Sequence, residues 1–431
     1  MFQDKVEAQR ICKQLLSAPV APGAYSHFIN VGTNEMLDIL ESEYLKETLS
    51  DGISCFKYVQ GYYGSGKTQL IHSLAARAWR QDIVTSIVDI GQDCPFNSPL
   101  AIYKAVISSF LPSPDMGKEP GTEKGIEVLI YYWIRRQLSK YGVSEGQEVS
   151  PQVRILLERV FSEIFLGARD VQTAIGLNAL GKVFLDLACG AQLSVTDNEL
   201  ISWMRGDNIR SKVLKDSFGL SEPANEANAF NRLMTIISYL RKRLGFRGFF
   251  IAFDEGTRTA SFRRGSTKQK QAIENMLTLI NKNKEGEFSG VMFLYAATPD
   301  FRSEVINKYV ALNDRIGDMS FSPGRPMVPF IDLDALDTDD IIRQMGNKLL
   351  EVFSTAYDVT WDMDIQKKNI ESFLASEKTT FGVGSEIRRA FVYHFCIHLY
   401  LVTQNRIQKL LNLDEAEDLI SKYGLPKIQE D

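Results

Sequence analysis

The segment Cys55 to Thr68, CFKYVQGYYGSGKT, leaves this chain few folds to choose from. Cys55 to Gln60 alternates and ends in glycines, as a buried strand does when it feeds a tight turn. The turn, Gly61-Tyr62-Tyr63-Gly64-Ser65-Gly66-Lys67-Thr68, matches GxxxxGK[ST] at every position. A helical pattern follows from about Lys67 to Trp79, and a second strand rich in Val and Ile spans Ile83 to Ile90. Strand, glycine turn, helix and strand in that order predict a βαβ unit and a parallel sheet.

Chemistry follows from the turn. Its glycines let successive backbone N–H groups point inward at phosphate oxygens, and the helix N-terminus adds positive potential. Lys67 would reach the β- and γ-phosphates of ATP, and the Thr68 hydroxyl would ligate Mg²⁺. A glycine-rich turn without a ligand is the bland alternative; the strand and helix on either side weigh against it.

A second signal lies far downstream in Gly248-Phe249-Phe250-Ile251-Ala252-Phe253-Asp254-Glu255, an apolar strand ending in two acids. One carboxylate there could be a helix cap or a solvated loop residue. Behind a phosphate-binding loop the two acquire separate roles: Asp254 holds the Mg²⁺ shell, and Glu255 orients and deprotonates the attacking water.

Composition sets the outer limits. At 431 residues, 44% apolar and 24% charged, the chain is expected to form a packed protein of two or three domains. No apolar run approaches the roughly 20 residues that span a bilayer. Met1 to Arg10 lacks an apolar core of the kind secretion signals carry, so a cytoplasmic protein without membrane contact is expected. The five cysteines, Cys12, Cys55, Cys94, Cys189 and Cys396, are widely spaced and odd in number, which predicts buried reduced thiols. A net charge of -5 argues against a surface that grips nucleic acid all over but leaves room for a local basic stripe.

Periodicity then divides the chain. Residues 1–52 read as helical, with Ile11, Leu15 and Leu16 on one stripe and Met36, Leu37, Leu40 and Leu45 on another. Residues 53–335 carry the strands, interrupted at about 101–245 by a long helical insertion with exposed loops at Pro112 to Gly121 and Gly142 to Pro151. Further strands are expected at Gly248 to Phe253, Val291 to Ala296 and Met327 to Leu333. Residues 336–431 read as helices, with Ser385 capping Glu386 to Val402.

Taken together, these features resemble the AAA+ branch of phosphate-loop ATPases, in which a helical lid follows the nucleotide domain. The resemblance implies an α/β fold with a parallel sheet, the large insertion and a C-terminal α-helical lid. It also implies further site residues. Thr298, after the strand Val291 to Ala297, matches the first sensor, although an ordinary turn before Pro299 would look the same. Arg315 stands where a ring ATPase supplies an arginine to its neighbour's γ-phosphate; a surface salt bridge with Asp314 or Asp318 is the alternative. Arg388 and Arg389 both match the second sensor, and the sequence does not choose between them.

Several stretches more closely resemble the ATP-binding protein of bacteriophage-exclusion (BREX) defence systems, the BrxD-like family, itself akin to origin-recognition ATPases. They are Val31-Gly32-Thr33-Asn34-Glu35, Trp203-Met204-Arg205-Gly206, the acid-pair strand, Ala297-Thr298-Pro299-Asp300-Phe301 and Glu386-Ile387-Arg388-Arg389. Thr33 departs from the basic residue often found before the loop, which puts the adenine-side contacts in doubt; Phe28, Ile29 and Val31 could still form an apolar pocket. The resemblance implies ATP hydrolysis coupled to movement between lid and core, a homo-oligomer, and partner proteins of a defence system. A DNA-loading initiator-like ATPase and a nucleotide-dependent scaffold with little turnover are the rivals.

Two other features need a reading. His394 and His398 are four apart with Cys396 between them, a spacing that can hold a metal, yet the surrounding Tyr393, Phe395 and Tyr400 favour a packed helix. Arg258, Arg263, Arg264, Lys268 and Lys270 follow the acid pair and could touch a DNA backbone or simply be solvated.

Overall fold

The computed structural model describes residues 4–18, 22–113, 123–144, 146–255, 265–382, 384 and 386–425. One sheet runs in the order β2-β3-β4-β1-β5, where β1 is Cys55–Gln60, β2 Val84–Ile90, β3 Phe249–Glu255, β4 Val291–Ala297 and β5 Phe330–Asp332. β1 pairs parallel with β5 from Tyr58↔Phe330 to Gln60↔Asp332, and β2 pairs parallel with β3 from Val84↔Phe249 to Ile90↔Glu255. All seven residues of β4 and the five from Phe249 to Phe253 are buried. Burial without alternation is what a parallel sheet covered on both faces demands.

All five expected strands are present. The last is shorter than the expected Met327 to Leu333, because Pro326 and Pro329 have no N–H to give a ladder and Met327 turns outward, 62% exposed.

In chain order the α-helices are α1 Lys5–Ser17, α2 Asn34–Ile39, α3 Lys67–Arg80, α4 Pro99–Ser108, α5 Ile126–Lys140, α6 Pro151–Val160, α7 Val171–Ala188, α8 Val195–Met204 and α9 Lys212–Phe218, then α10 Ala229–Lys242, α11 Thr267–Lys284, α12 Pro299–Phe301, α13 Val310–Ile316, α14 Thr338–Tyr357, α15 Met363–Phe381, α16 Glu386–Asn405 and α17 Leu413–Tyr423. The chain forms two compact units, one of residues 1–41, 58–76 and 296–431, the other of residues 42–57 and 77–295.

In the first unit, α1 is amphipathic and cannot hide its stripe alone. Ala8, Ile11, Cys12 and Leu15 join one core with Ile342 and Phe353 of α14, Phe373 of α15 and Phe391 and Phe395 of α16. The chain's first helix is thus packed into its C-terminal helices. His394 and His398 lie in the same region without a metal-ligand set: His394 Nδ1 is 2.6 Å from Glu377, and His398 Nε2 faces Gln366 and Asn369. Among the described residues no group of three or more His, Cys, Asp or Glu could hold a metal. Ser385, the expected cap, lies outside the described residues.

The second unit holds the insertion, α4 to α10, with no strand among its described residues. Its turn Trp203-Met204-Arg205-Gly206 ties four helices together. Tyr103 of α4 donates to Met204 O at 2.6 Å, Arg205 pairs with Glu127 of α5, and the Arg232 guanidinium of α10 sits 4.4 Å over the Trp203 ring at the end of α8. That contact web accounts for the motif without a ligand.

All five cysteines are free; Cys12, Cys94 and Cys396 are buried as expected, whereas Cys55 and Cys189 are half-buried. No helix among the described residues is long and apolar enough to cross a membrane.

Candidate functional site

In the first unit β1 ends at Gln60 and α3 begins at Lys67, so Gly61 to Gly66 form the loop between them. Two of its positions demand glycine. Gly66 has φ +97°, outside the range of most L-residues, and a Cβ on Gly61 would lie 2.1 Å from Ser65 Oγ. Gly64 also has positive φ, and Ser65 N–H donates to Tyr62 O at 3.1 Å, closing the turn. The first N–H groups of α3 have no acceptor inside the helix, so the loop's end is suited to an anion. Ser65 Oγ is buried without a hydrogen-bond partner, a further polar atom for a phosphate-bearing ligand to satisfy.

Lys67 is buried, 8% exposed, and its ammonium donates to Gly61 O at 2.6 Å and Tyr62 O at 3.1 Å, with the Tyr63 ring 5.5 Å away. Tyr62 and Tyr63 are half exposed, and Thr68 is exposed in the first turn of α3. Gly61 N–H donates to Ala297 O at 3.2 Å, which brings the end of β4 beside the start of the loop. Thr298 is the next residue, half-buried, in extended conformation before α12.

Of the two candidate arginines on α16, the structure brings Arg388 to the loop. Only 3% exposed, it donates to Ser65 O at 3.1 Å, Leu333 O at 3.4 Å, Leu336 O at 2.9 Å and Thr338 Oγ1 at 2.8 Å. Burial pulls its guanidinium below the ordinary value, and the carboxylates of Asp334 and Asp337 pull it back up. Arg389 is half-buried, its Nε has no partner, and burial lowers it as well. Arg315 lies exposed on α13, where its Nη1 donates to Ala311 O at 2.8 Å. Asp318 is engaged elsewhere, by Arg302 at 2.7 Å.

Asp334 is the loop contact that sequence reasoning missed: Tyr62 N–H donates to its two carboxylate oxygens at 2.9 and 3.2 Å. An acid just past a short strand carries no sequence signal beyond that of a turn.

The acid pair belongs to the second unit. β3 extends through Glu255, with Asp254 beside Asp89 and Glu255 beside Ile90 of β2. Asp254 is 6% exposed. Of the expected basic stretch, Arg258, Arg263 and Arg264 lie outside the described residues; Lys268 and Lys270 are exposed in the first turn of α11.

A family model described as BREX system ATP-binding protein BrxC/D matches residues 5–415. Among solved structures, that of the Aeropyrum pernix ORC2 protein (ADPNP-ADP complexes) is similar at 11% identity and a TM-score of 0.43, over 92% of this chain and 69% of that one. No curated protein sequence matches.

Proposed function

We propose that this chain, which belongs to the family of BREX system ATP-binding proteins BrxC/D, binds ATP with Mg²⁺ at Gly61 to Thr68 and hydrolyses it to ADP and phosphate in the service of phage defence. The observation that supports the reading is the loop itself: positive-φ glycines, a buried lysine and the open end of α3 lie together between Gly61 and Lys67, a combination suited to an anion, and Arg388 reaches the same loop from α16.

The roles follow from charge. Lys67, whose ammonium donates to the Gly61 and Tyr62 carbonyls, turns to phosphate oxygens and neutralises the β- and γ-phosphates. Thr68 and Asp254 would hold Mg²⁺, which when bound spreads the charge developing on the transferred phosphoryl group. Glu255 orients the attacking water and takes its proton. Thr298 hydrogen-bonds that water or the γ-phosphate. Arg388 is the preferred second sensor, Arg389 being the alternative, and Arg315 is supplied to the site of a neighbouring copy in a homo-oligomer. The proposed modules are residues 1–52, the nucleotide domain 53–335 with its insertion at about 101–245, and the lid 336–431. Partner proteins of the defence system and DNA, through Arg258, Arg263, Arg264, Lys268 and Lys270, are the proposed macromolecular contacts.

The test is phosphate release by the purified chain with ATP and Mg²⁺, compared with Lys67→Ala. Binding without turnover would favour a nucleotide-dependent scaffold, and no binding would remove the proposal altogether.

A further inference from the structure

Asp334 stands two residues beyond β5, outside every motif the sequence displays, yet its carboxylate is committed to the loop backbone. The Gly61–Tyr62 peptide group is held at both ends: its N–H donates to Asp334 at 2.9 Å, and its C=O accepts from the Lys67 ammonium at 2.6 Å. A peptide that donates to an anion and accepts from a cation is polarised from both sides, so each bond strengthens the other.

The backbone that carries this carboxylate is itself held in place. Leu333 N–H donates to Gln60 O at 2.9 Å, which carries the β1–β5 ladder one residue further, and Asp334 N–H donates to Asp332 Oδ1 at 3.0 Å. On the other side of this short connector, Leu333 O and Leu336 O accept from Arg388. The connector after β5 therefore links the loop to α16.

We infer that Asp334 is a positioning residue for nucleotide binding: it locks the Gly61–Tyr62 peptide and thereby sets where the Lys67 ammonium rests before it meets phosphate. The inference rests on the ATP-binding reading above. When Lys67 turns to a phosphate, the peptide keeps its orientation because Asp334 still holds the N–H. Without that anchor the loop must be ordered at the expense of binding.

The experiment compares the full wild-type chain with Asp334→Ala and Asp334→Asn. Two readouts are taken: amide hydrogen exchange at Tyr62 without nucleotide, and affinity for a fluorescent ATP analogue with kcat and KM. In Asp334→Ala the Tyr62 amide exchanges about tenfold faster and nucleotide affinity falls about tenfold, as loss of a hydrogen bond to a charged group predicts. KM rises while kcat changes less than about threefold, and Asp334→Asn, which keeps an acceptor, restores both readouts. If Asp334→Ala does not fold, Asp334→Ser, too short to reach the amide, takes its place. Unchanged Tyr62 exchange, wild-type affinity in the alanine variant, or no rescue by asparagine would overturn the inference. A wild-type chain that binds no nucleotide, while Tyr62 exchange still follows Asp334, would sink the ATP reading and leave the peptide lock standing.

Discussion

Arg388 donates a hydrogen bond to the Ser65 carbonyl at 3.1 Å across 323 positions of sequence, so α16 and the loop between β1 and α3 share a contact. Four oxygens surround this guanidinium, and three of them belong to the backbone.

Arg388→Ala strands buried carbonyls and should cost about 2 to 3 kcal/mol of stability, measured by chemical denaturation. Arg388→Lys should recover little, because one ammonium cannot reproduce a planar fork of donors. Arg389→Ala should cost clearly less, and equal losses at the two positions would contradict the assignment of Arg388 to the loop.

Glu255→Gln should slow steady phosphate release by at least about a hundredfold, within the range attributed to a general base, while nucleotide affinity stays within a few fold of wild type. Release at the wild-type rate would show that the base lies elsewhere.

Gly66→Ala places a side chain at φ +97°. A strained backbone of this kind costs about 1 to 3 kcal/mol, and a turn that relaxes to relieve it moves its N–H groups away from the proposed phosphate position. Thermal melting with and without ATP separates the two effects: the variant should lose the rise in Tm that nucleotide gives the wild type.

Burial lowers His398 to about 4 from an ordinary 6.5, so it is neutral in the folded protein at pH 7. The unfolded chain binds the proton more readily, so this contribution is fully present above pH 6.5 and is lost as pH falls toward 4, to a total of about 3 kcal/mol. Glu377, pushed upward by burial, works in the opposite sense. The measurement is therefore the difference in unfolding free energy between wild type and His398→Gln across that window, which should shrink as the solution is acidified.

In the proposed role Arg315 serves the site of a neighbouring copy. Light scattering with a slowly hydrolysed ATP analogue should show a particle larger than the monomer, and Arg315→Ala should reduce turnover without reducing nucleotide affinity. A monomer under all conditions would eliminate the trans-arginine role.

Local chemistry made much of this protein legible in one dimension. The loop Gly61 to Thr68 announces itself because the glycines, the lysine and the threonine stand at fixed spacing within eight residues. Four of the five strands are legible within a residue or two, β3 and β4 from the apolar runs that burial on both faces requires and β1 and β2 from their place on either side of the loop and its helix. The fifth was overdrawn, since Met327 and Val328 count as apolar but follow Pro326 and precede Pro329. What the sequence left open were relations between distant segments. Nothing in Arg388-Arg389 says which guanidinium meets the loop; the rotation of α16 about its axis, set by Phe391, Phe395 and Leu399 in the core, decides it. Asp334 is one acid among several after β5 until the β1–β5 register carries it to the Tyr62 N–H. The sequence thus determined that a tight glycine loop would join β1 to α3, because its residues are contiguous, and only tertiary packing decided which side chains hold it, because those partners are brought together by a core rather than by their neighbours in the chain.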